Sequence, residues 1–464
     1  MRLSIEKLIY GGDGLARTPA AADGRSLAVF VPFVLPGEKI DAGIHPQKSG
    51  FARASSTQLV EVSPDRVQPH CLYFQQCGGC HYQHIRYPDQ LQFKAAILRE
   101  TLQRIAKIDL PSEIQLHPSP PWNYRNRTRL QIQLQSSSQS SSESSPEFIP
   151  EFAIGYFRFR SHDLLSVLEC PISSPLLNRV ITRLLDQRGF NCPSAVQEVE
   201  LFADAADQRL LAWAFCGREA DRAGLLRWAE ALRHELPEIT GVTFFSSRRR
   251  TATPRMQALE EFEEEDAPLN QQMLAQSGAP ALLYRTQNHD YQVGAGAFFQ
   301  VNRFLIDELV SVVTGNATGN LALDLYAGVG LFSAALAQNF HHIFGVEASQ
   351  TSYGDFTHNV PANVKAVGAR TEDYLSGDYL RNRRGQARPD LVVLDPPRSG
   401  AGKSVMRSLV ELGALRIRYV SCDPATLARD IAPLLVAGYR IEEAHLFDLF
   451  PETYHIESVM LLAR

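Results

Sequence analysis

The sequence predicts an α/β protein in three parts: an OB-like β-barrel at the N-terminus, a central α+β region, and a C-terminal Rossmann-like domain. Three observations predict it. Short β-like runs broken by turn residues fill the first 60 or so positions. Cys71, Cys77 and Cys80 fall within ten residues of one another. From about residue 290 the pattern becomes strand, glycine turn, helix, strand. The expected divisions are 1–62, 63–289 and 290–464, and 464 residues suffice to give each part its own core.

Bulk composition narrows the class. With 44% hydrophobic and 21% charged residues the chain is globular in type, and a net charge of -5 gives no overall attraction to nucleic acid. Any RNA-binding surface must therefore be local. No run approaches the roughly 20 apolar residues of a membrane span, and the first residues lack a signal peptide's apolar stretch. A cytoplasmic monomer without a membrane partner is expected. Seven cysteines, odd in number and unevenly spread, do not resemble a disulfide framework and read as reduced thiols or metal ligands.

In chain order, Leu3 to Leu8, Leu27 to Val34, Lys39 to Ile44 and Thr57 to Val62 read as strands, with turns at Gly11 to Gly14 and Pro36 to Glu38. Such a barrel either holds single-stranded nucleic acid or is purely structural. In Cys71-Leu72-Tyr73-Phe74-Gln75-Gln76-Cys77-Gly78-Gly79-Cys80, two glycines let the backbone wrap so that three thiols converge. Cys170, in Glu169-Cys170-Pro171, is the best fourth ligand, and the four could hold zinc or a [4Fe-4S] cluster. Cys192 and Cys216 lie in apolar runs and read as packing residues.

Residues Tyr87 to Lys107 show helical periodicity, with Leu91, Ala95, Leu98, Leu102 and Ile105 on one face that should pack on the C-terminal domain, 290–464. Arg125, Arg127 and Arg129 alternate along a β-like run. They share a face that either grips phosphate and stacked bases or is simply solvated. Ser136 to Pro146 is too polar to pack and reads as a surface insertion. Phe152 to Phe159 and Asp163 to Leu168 pair as a hairpin, and residues 175–245 mix helices and strands. Arg248 to Arg250 and the acidic run Glu260 to Asp266 read as an exposed excursion.

The C-terminal part carries the chemistry. The strand Leu321 to Tyr326 feeds Ala327-Gly328-Val329-Gly330 and a helix from Leu331, a nucleotide-type crevice in which Ser333 replaces a third glycine. Glu347 ends the next strand, placed to accept hydrogen bonds from ribose hydroxyls. Dehydrogenases and S-adenosylmethionine methyltransferases share this arrangement. Leu391 to Leu394 forms another central strand, and Pro396-Pro397 stiffen the loop that carries Asp395 and Arg398 over its carboxyl end. Gln300, in Phe298-Phe299-Gln300-Val301-Asn302, is placed to offer its amide at the domain seam. Cys422 falls between the strand Leu415 to Val420 and a helix opened by Asp423 and Pro424. Helix amides there favour thiolate, the nucleophilic form; a small buried hydrophobe is the alternative. Glu457 stands just ahead of the last apolar strand.

Together the cysteine motif, Phe298 to Asn302, Asp324 to Gly330, Asp395 to Arg398, Ser421 to Leu427 and His455 to Ser458 resemble the RNA 5-methyluridine methyltransferase family. The resemblance is to its iron-sulfur branch with an N-terminal TRAM domain. It implies a [4Fe-4S] cluster on Cys71, Cys77, Cys80 and Cys170, and S-adenosyl-L-methionine held by Gln300, Tyr326, Gly328, Gly330, Glu347 and Asp395. It also implies Cys422 as nucleophile and Glu457 as proton acceptor. Where the family often carries asparagine this chain has Leu331 and Arg370, so no cofactor contact is carried over to them. The implied substrate is a uridine of 23S rRNA, with tRNA as the alternative. An iron-sulfur redox enzyme and a non-catalytic RNA-binding protein are the rival classes.

Overall fold

The computed structural model describes residues 1–20, 25–46, 50–111, 113–134, 152–186, 192–217, 219–247, 272–315, 317–379 and 388–464. The serine insertion at 136–146, the arginines at 248–250 and the acidic run at 260–266 lie outside the described residues.

Strands β1 (Arg2–Leu8), β2 (Asp13–Arg17), β3 (Ala28–Pro32), β4 (Lys39–Pro46) and β5 (Phe51–Glu61) close a barrel in the order β1-β2-β3-β5-β4. Alternation turns Leu3, Ile5, Val29, Val31 and Ile40 into its core. β2 is not among the expected strands, and β5 begins at Phe51, ahead of the expected Thr57. The inward residues there are Ala16 and Ala52, too small to mark a strand although both are fully buried.

Helix α1 (Tyr87–Ala106) starts with proline in its first turn and ends at Lys107 in a left-handed conformation, φ 56°. Leu91, Leu98 and Leu102 join Leu427, Ile431 and Leu434 of the C-terminal part in one core. Ile105 departs from the expected stripe and is 43% exposed. Periodicity fixes the direction of a side chain, not how far along the helix the partner surface extends. After α1, the short strand β6 (Gln115–His117) runs parallel to a strand of the C-terminal sheet and becomes its edge.

The central sheet has the order β13-β12-β11-β10-β7-β8-β9. It comprises β7 (Arg127–Leu134), β8 (Phe152–Phe157), β9 (Leu164–Ser166), β10 (Val196–Ala203), β11 (Leu210–Cys216), β12 (Ile239–Ser246) and β13 (Met273–Gly278). Helices α2 (Pro175–Leu185) and α3 (Arg222–Glu235) share one core with it, which includes Cys192 and Cys216. Phe202, Trp213 and Phe215 belong instead to a core shared with the C-terminal part. Arg127 and Arg129 are committed within the protein. Arg127 Nε donates to Glu200 at 2.5 Å and its guanidinium lies 4.9 Å from the Trp213 ring. Arg129 Nε donates to Glu198 at 2.6 Å, over Phe215 at 4.5 Å.

A hairpin of β14 (Ala281–Arg285) and β15 (Asp290–Gly294) pairs Ala281 with Gly294, so residues 289 and 290 sit within one unit. The C-terminal sheet has the order β18-β17-β16-β19-β20-β22-β21-β6. Its other strands are β16 (Gly319–Leu325), β17 (Phe340–Glu347), β18 (Val364–Gly368), β19 (Leu391–Leu394), β20 (Arg416–Ser421), β21 (Arg440–Phe447) and β22 (Glu457–Ala463). The helices are α4 (Ile306–Thr314), α5 (Leu331–Leu336), α6 (Gln350–Asn359), α7 (Thr371–Tyr374), α8 (Gly402–Leu412) and α9 (Pro424–Val436). β16 to β20 are parallel, and β16 pairs with both β17 and β19. Strand order therefore reverses between β16 and β19, the place where open α/β sheets bind ligands. Among the described residues, no helix is long and apolar enough to cross a membrane.

Candidate active site

The loops after β16 and β19 flank the reversal point. Tyr326 leaves β16 with φ 67°, a conformation that costs a non-glycine residue on the order of 1 kcal/mol and persists only where its surroundings impose it. Gly330 has φ 90°, and a Cβ there would stand 2.6 Å from the Phe356 ring, so only glycine lets α5 pack on α6. Gly328 has φ 56°, and a Cβ on it would meet nothing within 4 Å. Its N–H donates to Glu347 Oε2 at 2.8 Å, while the Ser349 N–H donates to Oε1 at 2.6 Å. Burial pushes the Glu347 carboxyl up and these amides pull it back. Each oxygen keeps capacity for a further donor.

Below them lies Asp324, fully buried, its carboxyl pushed up to about 6 by burial. Ser333 Oγ donates to Asp324 Oδ2 at 2.6 Å. Ser333 thus has its own task where a dinucleotide fingerprint would carry glycine. Asp395 follows β19, its N–H donating to the Leu325 carbonyl at 3.3 Å, so its backbone adjoins the end of β16. Gln300 is 7% exposed and its carbonyl accepts from Asn126 Nδ2 at 3.1 Å. Leu331 is buried at the start of α5, where its carbonyl accepts from the Tyr291 hydroxyl at 3.0 Å. Arg370 precedes α7 with its side chain 73% exposed, 3.8 Å from Glu372.

Two strands from β16, at the same carboxyl edge of the sheet, Asp423 caps α9. Its carboxylate accepts from the N–H groups of Ala425 and Thr426, each at 2.8 Å, and Pro424 occupies the first turn. Cys422 therefore sits half-buried between strand and helix. The antiparallel ladder of β20 and β22 pairs Ser421 with Ser458. Cys422 and Glu457 are the residues just beyond that last pair, at the same end of the two strands. Glu457 is 6% exposed. Close by, Arg398 Nη2 donates to His455 Nδ1 at 3.0 Å. Burial and the Arg398 charge hold the imidazole well below its ordinary range, so it stays neutral and accepts.

Comparison with known proteins gives this geometry a family. The family profile described as tRNA (Uracil-5-)-methyltransferase matches residues 273–464. The 23S rRNA (uracil(1939)-C(5))-methyltransferase RlmD of Halomonas elongata is 31% identical over 465 residues, covering 99% of this chain and 89% of that protein. The chain belongs to the tRNA and rRNA uracil-5-methyltransferase family. An uncharacterized RNA methyltransferase of Aquifex aeolicus is 29% identical across 100% of this chain and 98% of its own length. The crystal structure of the Pyrococcus abyssi tRNA (uracil-54, C5)-methyltransferase with S-adenosyl-L-homocysteine superposes with a TM-score of 0.70. It is 23% identical and covers 100% of both chains, so the folds agree along the whole length. A methyltransferase of this family replaces the redox and non-catalytic readings.

Of the cysteines, Cys71, Cys77, Cys80 and Cys170 are each half-buried. Cys170 acts electrostatically on Cys71, Cys77 and Cys80, which places the four in one neighbourhood. Yet among the described residues no three His, Cys, Asp or Glu side chains are arranged to hold a metal ion. Burial pushes the Cys77 thiol up to about 12 and the Cys80 thiol well above its ordinary value.

Several further residues beside the site are not among those the sequence motifs single out. Lys94 of α1 donates to Asp448 at 2.6 Å and to the Phe450 carbonyl at 3.0 Å, with both charged side chains fully buried. Gln90 Nε2 donates to Glu452 at 3.1 Å, and the N–H groups of His81 and Tyr82 donate to the Glu452 carbonyl. These contacts clamp the segment from β21 to β22 that leads into Glu457. A charged residue on an apolar helix face was the available clue at Lys94.

Proposed function

We propose that the enzyme methylates carbon 5 of a uridine in 23S rRNA, with Cys422 as nucleophile and Glu457 as the base. The observation that carries this reading is the β20–β22 register, which brings a helix-capped cysteine and a buried glutamate to the same end of the sheet. The 31% identity to an enzyme named for 23S rRNA favours that substrate. The family profile carries a tRNA name, which keeps tRNA as the second reading.

Carbon 5 of uracil is a weak nucleophile. The Cys422 thiolate adds to carbon 6, and the electron pair of the 5,6 double bond moves into an enolate that makes carbon 5 reactive. S-adenosylmethionine, when bound, supplies an electrophilic methyl group. After carbon 5 has gained that methyl, the Glu457 carboxylate removes the carbon 5 proton. The C–H pair restores the double bond and expels the thiolate. Because carbon 6 is covered in a stacked helix, the target base enters extruded.

The residues fit the methyl donor. Gly328 leaves open space where a side chain would stand, and Glu347 keeps acceptor capacity for ribose hydroxyls. Gln300, Tyr326, Gly330 and Asp395 would complete the pocket. For a [4Fe-4S] cluster the donor set fits in kind: three thiols of one loop and Cys170 would hold it, deprotonating as they bind, and the cluster would fix that loop.

The test is methylation of purified 23S rRNA and purified tRNA with methyl-labelled donor, followed by mapping of the labelled nucleotide. Label as 5-methyluridine at one position of 23S rRNA is expected. Label confined to tRNA selects the second reading, and label in neither overturns both.

A further inference from the structure

The barrel reaches into the site. The turn between β1 and β2 is Ile9-Tyr10-Gly11-Gly12, in which the two glycines have φ 100° and 87°. A Cβ on Gly12 would lie 3.2 Å from the His81 side chain, so the hairpin tip is seated directly against the segment that follows the cysteine loop. Asp13, at the base of the tip, pairs with Arg53 of β5 at 3.0 Å and with Arg160 of the β8–β9 turn at 2.6 Å. This ties the hairpin to the central region.

At the apex, the Tyr10 hydroxyl donates to the backbone carbonyl of Cys422 at 3.2 Å, and its ring meets Tyr454 edge-on at 5.7 Å. The Cys422–Asp423 peptide lies just past the β20–β22 ladder, which ends at Ser421, and it opens α9. Its N–H donates to Ser421 Oγ at 3.3 Å, and its carbonyl takes the Tyr10 hydroxyl. With both groups held, the peptide plane is fixed, and with it the direction of the Cys422 Cα–Cβ bond from which the sulfur projects.

We propose that the first hairpin tip of the barrel is part of the active-site wall, and that Tyr10 is a positioning residue that aims the Cys422 thiol. The barrel then contributes to the chemical step as well as to any contact with RNA. This rests on Cys422 being the nucleophile.

Tyr10→Phe keeps the ring against Tyr454 and removes only the hydrogen bond. With the full-length enzyme, single-turnover methylation and covalent capture of 5-fluorouridine RNA should each slow about tenfold, the cost of one lost hydrogen bond in a constrained site. RNA affinity and melting temperature should stay at the wild-type values. Wild-type rates in Tyr10→Phe overturn the proposal, as does a loss confined to RNA affinity or to melting temperature. Cys422→Ser, run in parallel, separates the two claims. Methylation retained by Cys422→Ser defeats the nucleophile assignment, whereas its loss beside an unaffected Tyr10→Phe defeats only the role of Tyr10.

Discussion

Around β16 and β17 the loops of the reversal point are shaped from within the C-terminal part: Glu347 by the amides of Gly328 and Ser349, Asp324 by Ser333, Gly330 by Phe356. Around β20 and β22 the loops are held from outside. Tyr10 of the barrel bonds the Cys422 carbonyl, and Gln90 and Lys94 of α1 grip the segment before Glu457. One side of the sheet can take its shape as soon as its own domain folds. The other exists only when three parts of the chain have met, so residues far from the chemistry should affect it strongly.

Substitutions can sharpen or break this contrast. The largest effect is expected at the chemical end of the externally held side. Glu457→Gln should slow turnover by roughly 10²–10⁴-fold, the usual contribution of a positioned base, while the first methyl transfer still takes place. With unmodified RNA a protein–RNA adduct should accumulate, visible as a denaturation-resistant band, because the thiolate cannot leave until the proton does. Wild-type turnover in this variant would remove Glu457 from the mechanism.

Lys94→Met tests the clamp. It leaves the Asp448 carboxylate buried without its cation, a loss of about 3–5 kcal/mol, whereas Lys94→Met with Asp448→Leu should recover much of it. Denaturant unfolding measures both. A loss under about 1 kcal/mol would show that α1 does not hold the segment.

The smallest effect is expected on the internally built side and depends on pH. The Asp324 carboxyl is pushed up to about 6 in the folded protein from an ordinary value of 3.8. Between about pH 4 and 6 the folded state binds more protons than the unfolded one, so this residue's stabilising contribution is complete below pH 4 and lost as pH rises through 6. Asp324→Asn should therefore be more stable than wild type at pH 8, by about 2–3 kcal/mol, and the difference should shrink toward pH 4. A pH-independent difference would contradict the assigned environment.

The same contrast explains what was legible in the sequence. Asp423 and Pro424 announce the cap of α9, and Gly330 the tight turn into α5, because the physics of each is settled within a few residues. Arg127 and Arg129 could be placed on one face of a strand. That Glu200 and Glu198 would claim them depends on pairing with β10, some seventy residues on. Tyr10 lies 412 residues from the carbonyl it bonds. Its neighbours Gly11 and Gly12 signalled a turn and nothing of what the turn would touch. β6 is three residues long and is a strand because β21 offers it an edge. Cys71, Cys77 and Cys80 share one loop by their spacing, whereas the burial that raises the Cys77 and Cys80 thiols comes from the surrounding fold and is not encoded in that spacing.

The most direct test of the central claim uses RNA in which the target uridine carries fluorine at carbon 5, which cannot leave as a proton does. Incubation with enzyme and S-adenosylmethionine should give a covalent protein–RNA complex, mapped by mass spectrometry to Cys422 and absent from Cys422→Ala. A complex mapped to another residue, or one still formed by Cys422→Ala, would contradict the account.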